Sequence, residues 1–235
     1  MYTIKNLSKS FYDESWRSFF KKNNTIALNN INLEFNNGDS IGVIGKNGSG
    51  KSTLLKIIGN ILSADEVYYS FDVKKADTSY ISGNERSFFW RLTVRENLEF
   101  FSIMYGINKK VADIKIMKLA NDFNFTDFLD IKFMSLSSGF KKKISFARAL
   151  LKNPDIFLFD EITNSLDSSS KRKVNELLKV FKSKQSKKIL FWASHDTSEI
   201  IDLCNRVIIL EDGEVARVIS KGEDDFNERI FNQYL

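Results

Sequence analysis

At 235 residues and 27.1 kDa, the chain is long enough for one large domain, or for a core with a small subdomain. A hydrophobic content of 43%, with 21 phenylalanines and a single proline, excludes disorder as the main state and leaves no proline-rich linker or tail. The formal net charge of +5 permits an anionic ligand, a nucleic acid or an anionic membrane surface, and selects none of them.

The first residues, MYTIKNLSKSF, carry no long apolar run and no small-residue cleavage site, so they do not read as a signal peptide. Tyr2 and Ile4 alternate with polar residues, a weak strand signal. The stretch FYDESWRSFFKKNN reads as a loop or a short helical excursion. Ile31, Leu33 and Phe35 alternate cleanly, and NNGD closes that strand with a turn. Ser40 to Ile44 is a second, more apolar strand, followed by the glycine-rich GKNGSGKST and the helical LLKIIGNIL. Residues 67–71 and 78–82 suit short strands.

From Phe88 to Leu151 three helices are expected and little strand. The first starts at Thr93, whose hydroxyl forms a capping box with Glu96. The second runs near Lys109 to Asn121, and the third from Ser137 to about Leu151, before Asn153-Pro154. IFLF at 156–159 and ILFWA at 189–193 are buried strands, with a helix over 168–182 between them. Val207–Leu210 and Val215–Ile219 flank Asp212-Gly213, the signature of a hairpin. A short helix ends the chain. The pattern predicts an α/β sheet covered on both faces, with the helical middle inserted into it.

The basic clusters Lys21-Lys22, Lys141-Lys142-Lys143 and Lys187-Lys188 read as solvated faces. Cys204, the single cysteine, reads as a small buried hydrophobe. It has no partner in the chain for a disulfide, which fits a reducing compartment. No apolar stretch approaches a membrane span, so any membrane role would come through a partner.

Gly45-Lys46-Asn47-Gly48-Ser49-Gly50-Lys51-Ser52 fits G-x-x-x-x-G-K-[ST], with an apolar strand entering and a helix leaving. Phosphate oxygens need several backbone N–H groups pointing inward, and glycines let the chain wrap them without a side chain in the way. The helix that follows adds its free N-terminal N–H groups. Lys51 would reach the β- and γ-phosphates, and Ser52 would place its hydroxyl on Mg2+. Asp160 ends a buried strand and suits the same cation, while Glu161 could polarise the attacking water. His195, the only histidine, ends another buried strand, where it can reach a γ-phosphate. A lone histidine is more often structural, and without a second one it belongs to no His-rich metal site.

GKNGSGKST at 45–53, LSSGF at 136–140, FLFDE at 157–161, NSLD at 164–167 and SHD at 194–196 appear in an order and spacing that resemble the ATP-binding subunits of ATP-binding-cassette (ABC) transporters. The resemblance spans residues 2–219. It implies a P-loop NTPase of the ABC ATPase type: a RecA-like α/β core (residues 1–85 and 151–235), an N-terminal antiparallel β subdomain and a helical subdomain inserted over 86–150. It implies ATP and Mg2+ as ligands, with Gly45, Asn47, Gly48, Ser49, Gly50, Lys51, Ser52 and Thr53 around the phosphates. Ser137 and Gly139 would meet the γ-phosphate held by a second copy in a head-to-tail dimer, and Asp167 would link the two sites. Phe11 matches the aromatic that stacks on adenine, with Tyr12 as the alternative.

The chain also departs from the family pattern. The usual glutamine after the strand near residue 80 is absent; Asn84 falls closest and could supply an oxygen to Mg2+, with Glu85 next. Phe140 and Ser138 replace a signature glutamine and glycine, and Ile162 replaces a proline. None of these removes a principal catalytic group. The resemblance further implies a membrane permease on another chain, docking at Phe88, Phe89 or Trp90, with the subunit held at the cytoplasmic face of the cell membrane and no nucleic acid as partner. It is similar to exporters of polysaccharides or lipid-linked glycans. Drug, lipid or peptide export, a soluble ATPase acting on ribosomes or DNA, and a non-catalytic partner are the alternatives.

Overall fold

The computed structural model describes residues 1–12, 24–70, 77–82, 87–164 and 168–235. Strands β1 (Tyr2–Tyr12), β2 (Asn24–Phe35) and β4 (Glu66–Tyr69) form an antiparallel sheet in the order β2-β1-β4. Strands β3 (Ser40–Ile44), β5 (Thr78–Ser82), β6 (Ile156–Asp160), β7 (Ile189–Ala193), β8 (Arg206–Glu211) and β9 (Glu214–Ser220) form a second sheet, ordered β5-β6-β7-β3-β8-β9. All its pairs are parallel except the β8–β9 hairpin. Helix α1 (Lys51–Ile58) follows β3, and α2 (Val94–Met104), α3 (Lys109–Asp122) and α4 (Ser138–Lys152) lie between β5 and β6. Helices α5 (Ser168–Lys184), α6 (Thr197–Leu203) and α7 (Glu228–Phe231) complete the chain.

The larger sheet partitions two cores. Along β6, Phe157 and Phe159 enter one cluster with α2–α6, and Ile156 and Leu158 enter the other with α1 and the antiparallel sheet. Along β7, Leu190 and Trp192 face the first cluster, and Ile189, Phe191 and Ala193 face the second. A period-2 strand with both faces buried must be apolar at every position, which is why IFLF and ILFWA show no alternation. Phe159 stacks on Trp192 at 3.9 Å and meets Phe181 of α5 edge-on at 5.3 Å.

The helix starts follow the sequence. Glu96 N donates to Thr93 Oγ1 at 3.1 Å and Thr93 N to Glu96 Oε2 at 2.7 Å, the expected capping box. Asn153, left-handed at φ 52°, ends α4 immediately before Pro154.

Three features differ from the sequence reading. Strand β1 continues through Phe11 and Tyr12, where a loop or helix was expected. Its register against β2 shifts between Ile4 and Leu7, between Leu7 and Lys9, and again at Ser10, and each shift resets the alternation that would reveal a strand. Helix α6 has only seven residues, too few for its period to show, and forms because Asp196 accepts from Ser198 N and Glu199 N. Lys141 and Lys142 are not a solvated face. Both are buried, with the Lys141 ammonium 4.3 Å from the Trp90 ring centroid.

Candidate functional site

The parallel register carries four strand ends to one edge of the sheet. Ser82 lies opposite Asp160, Asp160 opposite Ala193, and Val43 opposite Ala193. The loop after β3 thus meets the acids after β6 and the histidine after β7, at the carboxyl edge where open α/β sheets bind ligands.

The loop can take no larger residue at its ends. A Cβ on Gly45 would stand 2.2 Å from Leu210 O, and one on Gly50, at φ 101°, would stand 2.5 Å from Ala27 O. Gly50 caps α1, so the first-turn N–H groups of that helix open towards the loop. A cavity of about 200 Å³ lies here, lined by Ala27, Asn47, Gly48, Gly50, Lys51, Ser52, Thr53 and Glu161. Ser49 Oγ is buried beside Gly45 without a hydrogen-bond partner.

Lys51 is 5% exposed and donates to Gly45 O at 2.7 Å and Lys46 O at 3.0 Å. Burial lowers its pKa, opposed by the negative charges of Glu161 and Asp160. Among the described residues this ammonium donates to two neutral carbonyls, which an anion can replace. Asp160 is 7% exposed and has both oxygens engaged: Oδ1 accepts from Ser52 Oγ at 2.9 Å, and Oδ2 from Tyr80 Oη at 2.5 Å. Burial, then the hydrogen bond to Asp160, pushes the Tyr80 phenol pKa well up, so it stays a donor. Ser52 and Asp160 are hard oxygen donors within one contact, which fits Mg2+. Among the described residues, no group of three or more His, Cys, Asp or Glu side chains could hold a metal without help from a ligand.

Glu161 adopts φ 50°, a left-handed conformation uncommon outside glycine. Its N–H donates to Ala193 O at 2.9 Å, and Asn164 Nδ2 donates to its Oε2 at 2.7 Å. His195 Nε2 lies 2.9 Å from Glu161 Oε1, at ion-pair distance but without the alignment of a hydrogen bond. Lys51, Ser52, Asp160, Glu161 and His195 are therefore brought together.

The other predicted residues sit as follows. Phe11 is 43% exposed on β1 opposite Thr25, two residues along β2 from the cavity-lining Ala27, and Tyr12 is more exposed beyond it. Ser137 and Gly139 line a different cavity of about 410 Å³ at the start of α4. Within one chain they do not join the loop of residues 45–52. Asn84, Glu85 and Asp167 lie outside the described residues. Phe88 is buried and stacks on Phe133 at 4.3 Å, so of the three docking candidates only Phe89 and Trp90 are exposed. Asn97 holds the Phe89 backbone at both its N–H and its C=O.

Tyr80 and Glu199 escaped the sequence reading. Tyr80 sits on β5, and no local motif singles it out. Glu199 is 5% exposed, and its Oε2 accepts from Thr163 Oγ1 at 3.0 Å and Ser194 Oγ at 2.8 Å. Its only sequence signal was a place four residues after His195.

The family profile described as ABC transporter matches residues 28–164, more than half the chain. The ABC transporter ATP-binding protein NatA of Bacillus subtilis (strain 168) is 33% identical over 224 residues, covering 92% of this chain and 87% of NatA. The teichoic acids export ATP-binding protein TagH of Shouchella clausii (strain KSM-K16) is 36% identical over 198 residues, covering 84% of this chain but 53% of TagH. Among solved structures, the ATP-binding cassette MJ0796, a dimer in a post-hydrolysis state bound to ADP and Pi, superposes with a TM-score of 0.76. It shares 27% identity, covering 94% of this chain and 98% of that one.

Proposed function

Because the chain belongs to the ABC transporter family as an ATP-binding subunit, we propose that it hydrolyses MgATP between two copies of itself and drives a separate membrane permease exporting a polysaccharide or lipid-linked glycan. The observation that carries the catalytic reading is the meeting of Lys51, Ser52, Asp160, Glu161 and His195 at one sheet edge.

Lys51 exchanges its two carbonyl partners for phosphate oxygens, and the amides of residues 45–52 wrap the rest of the anion. Ser52 and Asp160 would hold Mg2+, which would neutralise charge on the transferring phosphates. Glu161 accepts a hydrogen bond from the attacking water and orients it in line. The His195 imidazole donates to the transferring phosphoryl group, and Lys51 stabilises the charge spread over it. Phe11 offers an exposed ring for adenine on the strand beside β2. The separation of Ser137 and Gly139 from this cavity supports their acting on the nucleotide of the other copy.

Among the described residues, no helix is long and apolar enough to cross a membrane. In this reading the permease is carried on another chain, with Phe89 and Trp90 as the exposed apolar contact and the subunit held peripherally at the cytoplasmic face. Likeness to TagH, named for teichoic acid export, supports the glycan cargo.

Glu161→Gln tests the cycle. It should bind ATP with unchanged affinity, lose turnover by about 100-fold or more, and accumulate as a dimer of twice 27.1 kDa with ATP, by light scattering. Normal hydrolysis would remove Glu161 from its role, and a monomer at saturating ATP would remove the dimer. Co-purification from membranes, followed by transport of candidate glycans in vesicles, tests partner and cargo. Transport of a drug or peptide alone would replace the glycan reading.

A further inference from the structure

We infer that Glu199 is a positioning residue that clamps the loop bearing Glu161 to the loop bearing His195, fixing the two groups at one mutual distance. The inference rests on the roles given above to Glu161 and His195, and concerns what holds them in place.

Glu199 lies in the first turn of α6 and, among the described residues, its side chain hydrogen-bonds to neither. Its Oε2 instead accepts two hydroxyls, from Thr163, two residues past Glu161, and from Ser194, the residue before His195. The two hydroxyls come from loops that leave neighbouring parallel strands, β6 and β7. A single oxygen therefore ties both loops to the first turn of α6, the helix that continues from the histidine loop. Ser194 Oγ is held from a second side, where it accepts from Asp196 N at 3.0 Å. Asp196 in turn caps α6 and pairs with Lys171 of α5. The histidine loop, α5 and α6 thus form one connected polar network.

A purely structural account fits less well. An apolar side chain would fill this place without the cost of a buried carboxyl, but would leave the Thr163 and Ser194 hydroxyls without this acceptor. Glu199 Oε1 is buried with no partner, so half the group is not used for satisfaction of the core. What the site needs is a two-fold acceptor at Oε2. The need is plain at Glu161, whose left-handed backbone lasts only where the surrounding contacts over-determine it. Thr163 is part of the turn that holds it, and Glu199 is the anchor of Thr163. Burial raises the Glu199 pKa, opposed by the hydrogen bonds from Ser194 and Thr163, and Gln has the same shape and keeps an oxygen acceptor for the two hydroxyls.

The test compares Glu199→Ala, Glu199→Gln and wild type in three readouts: kcat, nucleotide affinity by calorimetry, and the imidazole proton resonances. His195 is the only histidine, so in a chain without a polyhistidine tag those resonances need no assignment. Glu199→Ala should lower kcat by about 10- to 100-fold with nucleotide affinity within about twofold, and should displace the His195 resonances. Glu199→Gln should stay within about threefold of wild type and keep the resonances in place. Wild-type kcat in Glu199→Ala, or unmoved His195 resonances, overturns the clamp. So does a parallel loss of kcat, affinity and melting temperature in both variants, which marks a fold-wide defect. Should Glu199→Ala not fold, the pair Thr163→Val with Ser194→Ala removes the two donors instead, under the same expectations. Glu161→Gln measured alongside separates the two levels. Normal hydrolysis there refutes the catalytic reading, whereas a dead Glu161→Gln beside a normal Glu199→Ala refutes only the clamp.

Discussion

Asp160 shows how the site works at the scale of single residues. Each of its oxygens has a separate donor, Ser52 on one and Tyr80 on the other, so the carboxylate cannot rotate away from the loop of residues 45–52. Tyr80→Phe removes one donor from a charged acceptor and should raise the Mg2+ concentration for half-maximal hydrolysis by about tenfold. Nucleotide binding without metal should not change. A Mg2+ titration of the ATPase rate, paired with metal-free calorimetry, checks both. Ser52 and Asp160 were legible in the sequence because each sits in a local motif. Tyr80 was not, because its contact with Asp160 is made across neighbouring parallel strands, between residues far apart in the chain.

At the scale of elements, the strands β6 and β7 hold the chemistry by being buried on both faces. Phe159→Ala would empty space between Trp192 and Phe181 and should cost about 3–5 kcal/mol, read from denaturant unfolding followed by fluorescence. Helix α6 contributes a different dependence. The Glu199 carboxyl has a folded pKa raised above its ordinary 4.5 by burial. The folded state then binds more protons than the unfolded chain, so this group's stabilisation is present below 4.5 and is lost as pH rises through the folded value. Glu199→Gln lacks the titration. Its melting temperature relative to wild type should therefore climb as pH rises above 4.5, and a flat difference would contradict the assignment. The buried strands β6 and β7 were readable beforehand, whereas α6 and the outer part of β1 were not. Seven residues are too short for a helical period, and the bulges of β1 hid Phe11 and Tyr12 in the same way.

At the scale of the whole molecule, the larger sheet separates two cores and gathers the candidate site at one edge, and Phe89 and Trp90 stand exposed side by side. Lys141, buried on the signature helix α4, lies against the Trp90 ring, so the expected docking surface touches the element that would meet the other copy's nucleotide. Trp90→Ala should release the permease on co-purification while nucleotide affinity stays within about twofold. Retained permease with coupled transport would exclude the contact. The lysine cluster read as solvent-facing because composition cannot show that an ammonium has an aromatic face to rest on.

The sequence by itself determined the glycine-rich loop between β3 and α1, the acids that follow IFLF, the caps of α2 and α4, and the alternation of apolar strands with helices. Each of these depends on residues within a few positions of one another, where backbone geometry alone sets the outcome. The tertiary structure alone decided that Tyr80 holds Asp160, that Glu199 joins two loops, that Phe88 is buried while Phe89 and Trp90 are not, and that Ser137 and Gly139 stand apart from Lys51. Those facts depend on strand order and on which face of each element meets the core, and no local spacing encodes either.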